Sequence, residues 1–203
     1  MGGLPTRFKA DAESMSETVR AELGIRNIDR LRPHDLADHI GIPVIQLGDL
    51  ATAAPEGDAG RLDHALGVLR SERSSSLSAL TVFDGPRRLI IHNEQHSPGR
   101  QASDIGHELA HGLLLHDPAP PVDGRGCRTW NGSIEDEANF FAGTLLVPGK
   151  AARWAAKRAM DATAVARHFG CSEQMARWRL GVSGADRLAR RRSPGTGVAP
   201  HRL

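Results

Sequence analysis

His107 and His111 stand four residues apart in "SDIGHELAHGLLLH", residues 103–116, with Glu108 directly after the first. In an α-helix this spacing puts both rings on one face with Cβ atoms about 6 Å apart, so two ring nitrogens can reach one ion at the roughly 2.0–2.1 Å that zinc prefers. Glu108 lies one step round the helix from His107. A carboxylate placed there does not bind the ion but can take a proton from the water that attacks a substrate. The chemistry implied is metal-assisted hydrolysis. The competing reading is an amphipathic helix rich in histidine, and the choice rests on whether the rest of the chain completes a site.

Two histidines do not complete a catalytic zinc site, which calls for a third protein ligand and one open position. His116 does not supply it in the manner of an extended HExxHxxGxxH site, because Leu114 stands where that pattern needs glycine and Asp117 where it needs the last histidine. The better source is "SIEDEANFFAGTLLVP", residues 133–148. Glu135 and Asn139 share a helical face there, so Glu135 can ligate while Asn139 hydrogen-bonds behind it or behind a histidine. Glu137 lies about 160° away from Glu135 on a helix turning 100° per residue, so only one of the two can face an ion. The same acidic residues would also suit the first turn of an ordinary capped core helix.

The elements that must position these residues are legible in outline. "LRPHDLADHIGIPVIQL" reads as a helix entered at Pro33 and closed at Gly41, followed by a strand from Val44. "GDLATAAPEGDAG" reads as a surface loop before a short helix around residues 62–69. "LSALTVFDGPRRLIIH" carries two β-forming runs on either side of a turn signal, a hairpin whose second strand leads to the histidine helix. Ser97 and Pro98 suit the start of that helix, with Ile105, Leu109, Gly112, Leu113 and His116 on its repeat. After a loop over 117–132, "SIED" resembles a capping box and Pro148 stops the second helix. Three short helices follow, the last two joined at Gly170 with Ser172 as a cap, and residues 187–203 read as a disordered basic tail.

"RQASDIGHELAHGLLLH" followed by "EDEANFFAGTLLVP" resembles the ImmA/IrrE family of metallo-endopeptidases, whose motif runs HExxH, then ExxAN or ExxAD, then FAxxLLxP. "LADHIGIPV" and "RLIIHN" resemble that family's entry into the active-site helix, and the likeness covers roughly residues 32 to 150. The resemblance implies Zn2+ bound by His107, His111 and Glu135, with Glu108 as the catalytic general base. Glu135 is preferred to Glu137 because the family's ligand stands three residues before the alanine, here Ala138. It also implies a protein substrate, often a repressor or other transcription regulator. Gly106 replaces the family's usual alanine, and the loop 117–132 is this chain's own. The chain has no tyrosine, so an oxyanion would fall to a histidine, an arginine or the ion itself. His92 and His96 are nearest in sequence, and neither is counted as catalytic.

The expected fold is α+β and zincin-like, a small sheet packed on the HExxH helix with a helical C-terminal extension. Residues 1–150 form the peptidase domain, 151–186 the extension and 187–203 the tail. A length of 203 residues, 39% hydrophobic and 25% charged, suits a soluble globular protein. No apolar run approaches the roughly 20 residues that span a bilayer, and the N-terminus lacks the apolar centre of a signal peptide, so a cytoplasmic protein with no membrane partner is expected. Cys127 and Cys171 have no CxxC partner and read as reduced bystanders. Residues 1–150 hold 15 Lys or Arg against 21 Asp or Glu, net −6, whereas 151–203 hold 11 against 3, net +8. The basic part has the outline of a helix-turn-helix carrying Arg177 and Arg179, which admits nucleic acid as a partner. Val165, Phe169, Met175, Trp178 and Leu180 are numerous enough to be core instead, and that reading is preferred. The alternative function is a non-catalytic, antitoxin-like regulator that binds DNA or protein and carries a silent metal site. Glu108 argues against it, since a structural site needs no base there.

Overall fold

The apolar run Leu89–Ile91 forms the central strand of a small sheet and delivers the chain to the histidine helix. The computed structural model describes residues 4–51, 78–84, 87–117 and 132–185. Strand β1 (Val44–Gln46) runs parallel to β3 (Arg87–His92), with Val44 opposite Ile90, and β2 (Ala79–Asp84) pairs antiparallel to β3 with Thr81 opposite Ile90. The strand order is β1-β3-β2. Helices α1 (Thr6–Glu22) and α2 (Pro33–His39) precede the sheet, with a short 3-10 turn at Leu47–Ala51. Helices α3 (Pro98–Leu113), α4 (Gly132–Leu146), α5 (Gly149–Lys157), α6 (Ala162–Phe169) and α7 (Glu173–Val182) follow it. The fold is α+β, as expected, and α3 packs against β2, β3, α2 and, most extensively, α4.

Local chemistry accounts for the boundaries. Gly41 takes φ +71 after α2, and the Ile42 amide bonds the Ala37 carbonyl at 2.9 Å, closing that helix. Ser97 occupies the N-cap of α3, but its hydroxyl makes no capping bond. Gln101 ties down the entry instead, donating from Nε2 to the carbonyls of Glu94 (2.9 Å) and His96 (2.6 Å). Asp161 and Ser172 do cap α6 and α7 with their side chains, and Gly170 at φ +70 makes the turn between them. The expected helix at 62–69, the hairpin tip at 85–86, the loop 118–131 with Cys127, and the tail 187–203 lie outside the described residues.

Helix α1 explains how α4 is held. Its buried face is Ala12, Ser16, Val19 and Arg20, half of it polar. Pro148 has no N–H, so the carbonyl of Thr144 loses its helical partner, and the Ser16 hydroxyl donates to it at 3.0 Å. Arg20 donates to the carbonyls of Leu145 (2.8 Å) and Leu146 (3.2 Å). Arg179 Nε donates to the Val147 carbonyl at 2.9 Å, and its other end pairs with Glu13 at 2.7 Å. Two buried cations thus meet the negative end of α4, the helix that carries Glu135. Burial pushes the Arg20 pKa down to about 10, which leaves it charged at neutral pH.

The hydrophobic core runs continuously across Lys150, from Ala12 in α1 through Phe141 and Leu145 in α4 to Val165, Phe169 and Leu180 in α6 and α7. Gly143 marks the closest approach of α4 and α7. A Cβ there would lie 2.5 Å from Trp178 Cζ3, 2.8 Å from Arg179 Cδ and 3.0 Å from Met175 Sδ. Gly143→Ala should therefore destabilise the fold by about 1–3 kcal/mol through overpacking. Thermal unfolding followed by circular dichroism checks this, and an unchanged Tm would mean that α7 does not pack on that face. Among the described residues no helix is long and apolar enough to cross a membrane.

Candidate metal centre

α3 and α4 bring His107, His111 and Glu135 together, their ligand atoms all within 4.8 Å of one another. His107 Nε2 and His111 Nε2 are 3.0 Å apart, His107 Nε2 lies 3.2 Å from Glu135 Oε2, and His111 Nε2 lies 3.7 Å from Glu135 Oε1. Three ligands at about 2.05 Å around a tetrahedral ion would be separated by about 3.3 Å. The observed spacings bracket that value, and two imidazoles with one carboxylate suit a borderline-soft divalent ion. The donor set fits a metal.

The electrostatics of the three side chains are coupled. Burial opposes charge on His107, but the hydrogen bond it donates to Glu135 and the charges of Glu108 and Glu135 outweigh it and raise the pKa. Burial, reinforced by His107, brings His111 down to about 4, so that ring is neutral at pH 7. The hydrogen bond to His107 lowers the Glu135 pKa, keeping the carboxylate ionised. Asn139 also hydrogen-bonds His107, which is the supporting role its helical face allows.

Glu108 is set apart from this group. Thr81 Oγ1 of β2 donates to its Oε2 at 2.6 Å, and burial raises its pKa above the usual carboxylate range against that hydrogen bond. A carboxyl shifted towards neutrality is better matched to taking and returning a proton at pH 7. Thr81 carries no sequence signal, because only strand pairing places it over α3. Gly106 leaves space: a Cβ there would sit in ordinary contact with Leu146 at 3.4 Å, so the alanine usual in the resembled family would fit.

His116 is not among the three grouped donors. It lies against His111 and Glu137, whose separation from Glu135 round α4 gives that carboxylate a different neighbour. His96 contacts Asp104 at 3.4 Å, and His92 is buried on β3 with its ring against His34. Cys171 is free and buried, its thiol pushed up to about 11 by desolvation, so it is a poor nucleophile at neutral pH.

A small sheet packed on a helix that presents two histidines, with a glutamate from the next helix, is the zincin-like arrangement of a metallopeptidase. The family model for Peptidase M78, the IrrE N-terminal-like domain, matches residues 63–181, and the chain belongs to this family. A search among curated proteins finds no match.

Proposed function

We propose that this protein is a zinc-dependent endopeptidase, with His107, His111 and Glu135 as the metal ligands and Glu108 as the general base. The ion, when bound, supplies a Lewis acid that polarises the scissile carbonyl and makes water more acidic. Glu108 takes the proton of the attacking water and returns it to the leaving amine, and Thr81 holds the carboxylate during both transfers. The observation that carries this reading is the division of labour between neighbours. His107 faces the donor group, whereas Glu108 stays outside it, bonded to Thr81.

The substrate class rests on the family likeness, which favours a protein, of the repressor or transcription-regulator type. A brace for α4, in preference to a nucleic-acid reader, is the role supported for the C-terminal helices. Arg179 is fully buried and bonded to Val147 and Glu13, and Arg177 is paired with Glu173 at 2.7 Å. Incubating the zinc-loaded chain with a pool of unstructured peptides and reading new termini by mass spectrometry tests the activity. New internal termini that vanish on chelation are expected. Their absence from the loaded sample would favour the non-catalytic regulator.

A further inference from the structure

Behind His111, on the side away from the donor group, stands a chain of polar contacts that hydrolysis does not require. His111 Nδ1 is 2.8 Å from His116 Nδ1, the rings meeting edge to face, and His116 Nε2 is 3.4 Å from Glu137 Oε2. The last contact is an ion-pair distance about 0.5 Å longer than a good hydrogen bond, and this buried nitrogen makes no hydrogen bond, so Glu137 is the acceptor nearest to hand for it. His116 reaches its place because Leu115 turns the chain at φ +54, after which the His116 amide bonds the His111 carbonyl at 3.1 Å. A left-handed leucine is strained, and this one is 78% exposed, so burial of its own side chain does not explain the turn. What the turn achieves is the seat of the His116 ring.

We propose that His116 and Glu137 are positioning residues that fix the ring and tautomer of His111 for metal binding. This rests on reading His107, His111 and Glu135 as the metal site. The hydrogens can be assigned in one direction throughout. His111 must keep Nε2 bare to ligate, so its proton sits on Nδ1 and is donated to His116 Nδ1. His116 then carries its own proton on Nε2, aimed at the Glu137 carboxylate. An outer carboxylate thereby orients a ligand through an intervening imidazole, one step further out than the usual arrangement.

The test is a zinc titration of the metal-free full chain against a chromophoric chelator, with melting of each metal-free variant as a control. His116→Phe keeps ring volume but loses the acceptor, and should weaken zinc binding about 10–100-fold with the Tm unchanged. Glu137→Ala should cause a smaller loss, which Glu137→Gln largely restores, because an amide oxygen still accepts from His116. The double variant His116→Phe with Glu137→Ala should be no worse than His116→Phe alone, since the two act in series. Parent-like affinity in His116→Phe, losses that add in the double variant, or equal losses in Glu137→Ala and Glu137→Gln would each overturn the relay. If His116→Phe fails to fold, the comparison of the two Glu137 variants decides alone. A parent chain that binds no zinc would sink the metal site itself, whereas a binding parent with unaffected variants sinks only the relay.

Discussion

Glu108→Gln should lower peptide hydrolysis by about 10²–10⁴-fold, the usual contribution of a positioned general base. The substitution preserves shape and can still accept from Thr81 Oγ1, which lies 2.6 Å from the carboxylate. It removes only the capacity to take a proton from water. Zinc stoichiometry and Tm should therefore match the parent, because the ligand atoms belong to other residues. Removing a buried carboxyl with a raised pKa releases desolvation cost, so any stability change should be slight and favourable. Steady-state cleavage of one peptide from the pool, with metal content measured on the same samples, checks both halves. A variant that retains zinc and cleaves at near the parent rate would remove Glu108 from the mechanism.

The second large effect concerns the ligands. Structural zinc sites with four ligands bind with about 10–16 kcal/mol, so one ligand carries roughly 3 kcal/mol, on the order of 10²–10³-fold in affinity. His107→Ala, His111→Ala and Glu135→Ala should each show a loss of that size in the chelator titration, with activity falling alongside. Glu137→Ala should remain fully loaded at excess zinc, since Glu137 touches His116 and not the donor group. Equal losses at Glu135 and Glu137 would mean that the third ligand has been misassigned.

The parts of this site legible in the sequence are those set by local geometry. Spacing of four converts His107 and His111 into a pair on one face, and the same rule puts Asn139 behind them when Glu135 faces the ion. The choice of Glu135 came from the motif as a whole, because helix geometry alone leaves Glu135 and Glu137 as alternatives. Residues placed by long-range pairing were not legible. Thr81 meets Glu108 only because β2 pairs with β3 and packs on α3. His116 depends on a left-handed Leu115, a conformation that leucine does not announce. Helix α1 carries an apolar row, Phe8, Ala12, Met15 and Val19, but its hold on α4 was not legible, because Ser16 and Arg20 donate to carbonyls 128 and 125 residues away. The charge asymmetry was visible, but part of its structural use was not. Arg179 of the basic segment is consumed inside the fold by Glu13 of the acidic one.

In the proposed mechanism three side chains from two helices hold one ion while Glu108 stays free of it. A crystal of the zinc-loaded chain measured on both sides of the zinc absorption edge tests this most directly. A single anomalous peak is expected about 2.0–2.2 Å from a ring nitrogen of His107, a ring nitrogen of His111 and a carboxylate oxygen of Glu135, with Glu108 uncoordinated. A peak ligated by Glu108, or one displaced to His116 and Glu137, would contradict it.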